Sequence, residues 1–280
     1  MARLSLVGAA VLRDKQVVLV LLLLLPIVAA ALFADLIAPY KPLLTGVGPA
    51  LAPPSTKYPM GTDQAGGDIY SQVIHGSRVA LLVGVGSTLL ALVIAILIGL
   101  PAGYHGGMID EILMRATDLI LSIPSFVLII FIVVLFGSRI NVIVFVIGAV
   151  SWPTLARITR AQVLSLKERE FVLAVKALGA GSSNIMFFEL LSNVWPSIVP
   201  AVTLQIGAAV LTECGLSFLG LGDPNMSSWG RTLWMASRSI YAGAWWGVIL
   251  PGLATIMTIL AFNAMGDALG RSMNPRTIKK

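Results

Sequence analysis

The chain has 280 residues, 57% of them apolar and 11% charged, with a formal net charge of +6 and a mean hydropathy of +0.92. Its apolar residues arrive in runs of about twenty, the length of helix that crosses ~30 Å of hydrocarbon, which excludes an ordinary water-soluble globule. The basic residues flank these runs instead of interleaving with aromatics in one patch, so nucleic acid is not an expected partner; the only cysteine, Cys214, excludes an internal disulfide and a cysteine-based metal cluster.

Taken in chain order, the apolar windows fall at roughly 17–38, 79–103, 112–136, 140–163, 194–219 and 245–267. Lipid offers no water to backbone amides and carbonyls, so a spanning segment is a helix or part of a closed barrel. Residues 19–33, LVLLLLLPIVAAALF, show no two-residue alternation, so six helices and no strands are expected. The first window follows Arg13 and Lys15 and has a signal-like look, but its run exceeds a signal core, and it is read as a retained span.

The spans bound one membrane domain with appended loops: 1–16 as a cytoplasmic N-terminus, 17–38 as the first span, 39–78 as an extracytoplasmic loop, 79–270 as the core with a loop at 165–193, and 271–280 as a cytoplasmic tail. Placing both termini in the cytoplasm puts thirteen Lys and Arg inside and six outside, which fits the positive-inside rule. Trp245 and Trp246 then fit an outer headgroup belt.

Within the spans, Gly99-x-x-x-Gly103 and Gly84-Val85-Gly86 read as close-packing positions. Pro26, Pro124, Pro153 and Pro251 interrupt four spans, as hinges or as static bends. Arg115 with Asp118, and Arg157 with Arg160, read as charges snorkelling from cytoplasmic ends. Glu213 is an ionisable residue late in the fifth span, beside Thr212 and Cys214. It is a candidate for lining a solute path or holding an outer gate, and equally for bonding a neighbouring helix.

Segment 165–193 carries the densest signal. Ser165-x-x-Glu168 has the form of a capping box, which predicts a helix start. Phe171, Val175 and Leu178 recur at helical spacing with charges mostly elsewhere, and Gly179 is a left-handed terminator; a second short helix is expected from about Asn184 to Leu191. Such a stripe must be covered. Lipid or its own bundle on one hand, and a docked soluble protein on the other, both remain open from the residues alone.

Catalytic arrangements are thin. No G-x-x-x-x-G-K-[ST] phosphate loop occurs. His75 and His105 are expected on opposite faces of the membrane, and Asp63 and Asp68, near glycines, read as turn and helix-start caps instead of cation ligands. No enzyme site, metal site or cofactor of this chain's own is expected.

The stretch EFVLAVKALGA, with Asn193 downstream, resembles the cytoplasmic loop of ABC-importer permeases, whose signature is Glu-Ala-Ala, three residues, then Gly. Ala174 and Gly179 match it; Leu173 stands where glutamate is usual and Ser192 where proline is. Other segments, in order, resemble the dipeptide, oligopeptide and nickel branch of that family. These are Gly61-Thr62-Asp63 through Asp68 with Gly76-Ser77-Arg78, Leu216-Ser217-Phe218-Leu219-Gly220-Leu221-Gly222 with Ser228-Trp229-Gly230, Met265-Gly266-Asp267-Ala268-Leu269, and Asn274-Pro275-Arg276. Gly67 replaces the usual arginine.

The resemblance implies an all-α membrane protein of the type I ABC importer fold, with six transmembrane helices and cytoplasmic coupling helices between the fourth and fifth. It implies a permease that works with a homologous second permease, two ATP-binding cassette subunits that bind ATP and magnesium, an extracytoplasmic solute-binding protein and membrane lipid. Glu168, Phe171, Ala174, Val175, Leu178, Gly179 and Asn193 are the implied coupling residues, and Glu213, Ser217 and Phe218 the candidates for the solute path or outer gate. Dipeptide or oligopeptide is the modal solute, with oligosaccharide and nickel complexes as alternatives. A lone ion-coupled carrier is the reading from another class; it wants mid-membrane charges and repeated halves, which the chain scarcely offers.

Overall fold

The computed structural model describes residues 15–272. The sequence expectations for residues 1–14 and 273–280, including the Asn274-Pro275-Arg276 segment, lie outside them. Among the described residues there is no strand, only an isolated bridge between Thr62 and Asp68. The helices are α1 Lys15–Leu32, α2 Ala34–Ile37, α3 Ile69–His105, α4 Gly107–Leu121, α5 Ser125–Phe136, α6 Ile140–Leu166, α7 Glu170–Ala177, α8 Ser182–Phe218, α9 Trp229–Ser237 and α10 Trp246–Ser272. Four of them, α3, α6, α8 and α10, are long and apolar enough to span a membrane; α4 and α5 qualify only as a pair bent by 79°, and the apolar part of α1, Val18–Leu32, is shorter.

The α4–α5 bend falls where Pro124 was expected to interrupt the window 112–136. Pro124 precedes α5, and its ring disfavours helical geometry at Ile123, so the chain must turn there. Pro26, Pro153 and Pro251 by contrast sit inside continuous helices.

The most extensive pairing is α3 with α6. Lipid gives little apolar drive for two greasy helices to meet, so close contact depends on small residues. Ala91, Ala95, Ala102 and Ala156 are fully buried. A methyl group at Gly99 would stand 2.6 Å from the Ala156 carbonyl oxygen, one at Gly103 2.7 Å from Val163 Cβ, and one at Gly148 2.7 Å from the Ser87 carbonyl oxygen. Gly84 likewise admits Val210 of α8 and Gly86 admits Val144 of α6, so all the sequence-marked glycines are packing positions.

Helix α3 begins ten residues before the apolar window that announced it, because polar side chains of its first turns are satisfied by the loop above them. Asp68 caps the helix by accepting from the Ser71 amide at 2.9 Å and its hydroxyl at 2.6 Å. Asp63 accepts from the Ala65 and Gly67 amides and from Gln72 Nε2 at 2.6 Å, while Gln72 Oε1 accepts from Thr232 of α9 at 3.2 Å. Both aspartates are thus cap and turn residues, as expected. Arg78 donates to the Ala31 carbonyl at 2.7 Å and to Asp35 at 2.8 Å, fastening α1 and α2 alongside.

Trp246 is not a headgroup anchor. It is buried, and its indole donates to the Thr62 carbonyl at 3.1 Å; Trp229 does the same to Val73 at 2.8 Å. Trp245 stays exposed. The stretch between the last two apolar windows contains α9 and a short 3-10 turn at Ile240–Ala242.

Replacing Gly99 by Val should lower the stability of the chain by about 1–3 kcal/mol through overpacking against Ala156 and Thr159. Gly252→Ala, which meets open space, should be neutral or slightly stabilising. Thermal unfolding of the detergent-solubilised chain compares the two.

Candidate coupling surface

Helix α6 runs to Leu166, past the expected capping box: the Ser165 hydroxyl donates back to the Gln162 carbonyl at 2.7 Å inside its last turn. The box is therefore not formed. The Arg169 amide bonds the Leu166 carbonyl to make a tight turn, and α7 starts at Glu170 with Arg169 as a cap that contributes no side-chain bond. Glu168 is exposed on that turn.

The end of α7 follows the sequence reading closely. Gly179 has φ +84°, its amide bonds Lys176 O, and the Ala180 amide reaches back to Val175 O. This paired closure of a helix end requires a left-handed residue, which glycine supplies without steric cost.

After Gly181 the chain enters α8. The second short helix expected at 184–191 is not separate: Ser182–Asn184 opens the span, Ile185–Leu190 widens into a π-helical turn, and Leu191–Phe218 continues it. Asn193 Nδ2 donates to the Glu189 carbonyl at 2.7 Å, occupying an acceptor within the widened turn.

Packing decides which side of α7 is free. Val172 is 1% exposed and joins Leu92 and Leu100 of α3, Val163 of α6, and Ile185, Leu190, Val194 and Ile198 of α8 in one cluster. Phe171 and Val175 are half-buried against it. Of the two coverings left open for the stripe, these two residues meet the chain's own bundle. Leu178 is 87% exposed and Phe188 70%, with Leu173, Ala174, Ala177 and Gly179 also exposed. The stripe drawn from Phe171 thus splits: its helical members face inward, while Leu178, at the C-cap, stands clear of the bundle. Sequence periodicity missed Val172 because α7 is only eight residues long, too short for one stripe to dominate.

The opposite end of α8 closes in the same way. Gly220 has φ +82°, its amide bonds Ser217 O, and the Leu221 amide reaches Leu216 O. Glu213 is buried, 3% exposed, and accepts from the Ser217 hydroxyl at 2.5 Å. A methyl group at Gly230 would stand 2.8 Å from Ser217 Cβ, so α9 lies directly on this pair. Glu213 and Ser217 are thus bonded to each other within α8, beneath α9. Phe218 alone of the three is exposed, in a groove with Phe126, Leu211 and Gly215.

Two of the arginines near the coupling end pair across helices. Arg160 of α6 binds Asp110 of α4 through two contacts at 2.5 and 2.6 Å, Arg157 binds Asp118 at 2.6 Å, and Arg115 meets Glu111 at 3.5 Å on its own helix. The Asp110–Arg160 pair clamps α4 onto α6. Sequence reading could have found it only by knowing that the bend after α4 brings these helices together. His75 and His105 lie thirty residues apart on α3, about 45 Å along a straight helix, and so do not share a site.

Residues 95–279 match the family of binding-protein-dependent transport system inner membrane components. The chain belongs to this family. The permease is 38% identical over 263 residues to a di/tripeptide transport system permease protein DppC of Pseudomonas aeruginosa, covering 91% of this chain and 86% of that one. It is 33% identical over 265 residues to the dipeptide permease DppC of Bacillus subtilis, covering 94% and 83%, and 34% identical to OppC, the oligopeptide permease of the same organism, covering 95% and 87%. Its fold is that of a chain from the inward-facing MetNI methionine ABC transporter, with a TM-score of 0.58 at 18% identity over 74% of this chain and 98% of that chain. The permease is thus a multi-pass membrane component of a type I ABC importer.

Leu178→Asp should change stability by no more than about 0.5 kcal/mol, as at an open surface. Val172→Asp should cost more than about 3 kcal/mol by burying an unpaired charge. Hydrogen exchange over α7 in the detergent-solubilised permease distinguishes them: protection is retained in the first and lost in the second.

Proposed function

We propose that this permease moves di- or oligopeptides inward across the cell membrane as one half of a translocation pathway, with a homologous permease as the other half. Two ATP-binding cassette subunits bind ATP and magnesium and hydrolyse the nucleotide, and an extracytoplasmic solute-binding protein delivers the peptide. Support for the peptide comes from the names of the relatives above. Support for the division of labour comes from the family, together with the lack of a phosphate-binding loop motif in this sequence. Both termini and the α6–α8 connection lie in the cytoplasm on this reading, in line with the distribution of lysine and arginine.

The observation that carries the mechanism is the two-sided packing of α7. One side is locked to three spans through Val172, and the other offers Leu173, Ala174, Leu178 and Gly179, with Phe188 beside them. Closure of the ATPase dimer pushes on that outward side. Because α7 cannot slide without dragging its apolar cluster, the displacement passes to α3, α6 and α8 and switches the bundle between inward- and outward-facing states. Asn193 stiffens the junction through its bond to Glu189 O.

Leu178→Asp or Gly179→Asp in the assembled importer should leave membrane insertion unchanged and lower ATP-dependent dipeptide uptake into vesicles by about tenfold or more, the scale of a lost interface anchor. Unchanged uptake in both variants would overturn the coupling role. Uptake by this permease alone under an ion gradient would favour a secondary carrier.

A further inference from the structure

Helices α5 and α6 form an antiparallel hairpin through Gly137, Ser138 and Arg139, at the end of the bundle opposite α7. Between their facing ends lies a groove of about 290 Å³, lined by Ile132, Phe136, Asn141, Val142, Phe145 and Val146. Val146 forms its buried floor, and the exposed rings of Phe136 and Phe145 stand up as walls. The groove opens to the outside of this chain.

Its polarity is graded with depth. Arg139 stands at the very end of the hairpin, exposed, and none of the hydrogen bonds or ion pairs among the described residues engages its guanidinium. Asn141 lies two residues further in, with its carboxamide also exposed and unengaged. Beyond it the lining is apolar: Val142, Phe145 and Val146 on α6, and Ile132, one turn below Phe136, on α5. At 1.5 Å per residue, the step from Asn141 to Phe145 is about 6 Å into the hydrocarbon. Cation, then amide, then apolar slot is the order in which a phospholipid presents its phosphate, its ester carbonyls and its acyl chains. The nearby Asp223 is already occupied: its carboxylate accepts from the Ile140 amide at 2.9 Å and the Asn225 amide at 2.9 Å. Recognition of an anion at this end therefore falls to the Arg139 side chain and not to the first amide of α6.

We propose that the α5–α6 groove is a binding site for an anionic phospholipid, with Arg139 on the headgroup phosphate, Asn141 on a glycerol ester carbonyl, and an acyl chain between Phe136 and Phe145. The charge at Arg139 selects lipids of net negative headgroup, since a juxtamembrane cation near the surface favours them by about fivefold. The apolar walls alone would take any acyl chain.

The test uses the full chain reconstituted in vesicles of phosphatidylcholine containing a minor share of phosphatidylglycerol, with spin-labelled phosphatidylglycerol or spin-labelled phosphatidylcholine as the probe. The immobilised lipid fraction should show a phosphatidylglycerol preference of about fivefold that Arg139→Gln removes and Arg139→Lys largely restores. Arg238→Gln, at another exposed arginine, should leave it intact. No preference in the unaltered protein, or an equal loss in the Arg139 and Arg238 variants, would overturn the site. So would a photo-cross-linker at position 145 that joins a second protein chain, and not lipid, in the assembled importer.

Discussion

Val172 is the point at which a short surface helix becomes part of the membrane bundle. Its side chain enters a cluster supplied by α3, α6 and α8, so any force on α7 is felt by three spans at once. The rest of the coupling end is arranged around that anchorage. Helix α6 delivers the chain without an intervening cap, Gly179 and Gly181 turn it back, and the π-helical turn of α8 places Ile185 and Leu190 beneath Val172. A helix of this length has little stability of its own, and its position depends on what it buries.

The two ends of α8 obey the same logic with different outcomes. At the coupling end Leu173, Leu178 and Phe188 are left exposed, among charged side chains such as Glu168, Arg169, Glu170 and Lys176 that are exposed as well. At the other end polar groups are buried and paired: Glu213 with Ser217, Gln72 with Asp63 and Thr232, and two indoles with backbone carbonyls. A buried polar group is stable only when its partners are fixed, so this end is a lid knitted to the loop before α3. The coupling end holds its position by apolar packing and by the α4–α6 ion pairs.

Much of this was legible in the residues. Runs of apolar side chains located the spans, glycines at helical spacing marked close-packing positions, and Gly179 announced a helix end, because each of these signals reflects a local requirement of backbone or packing. The misreadings share a cause. Gln72 and Arg78 helped push the apparent start of α3 to residue 79, since partners such as Thr232 and Asp35 come from residues far away in sequence. The Ser165 to Glu168 spacing satisfied a local rule that the longer run of α6 overrode. The residues alone left open what covers Phe171 and Val175, because the cluster they pack against is assembled from α3, α6 and α8. Glu213 was marked as unusual, yet only the positions of Ser217 and α9 show that its carboxylate is taken up within α8 and covered.

The central claim is that α7 has a locked side and an offered side, and that a nucleotide-hydrolysing partner grips the offered one. Cys214, the only cysteine of the chain, is readily exchanged for serine to give a background for single-cysteine cross-linking in the assembled importer. A cysteine at position 178 should bond to the ATPase subunit in high yield, while one at position 172 should remain unreacted. Cross-linking from position 172, or a position 178 reached only by lipid-soluble reagents and never by the ATPase, would contradict the account.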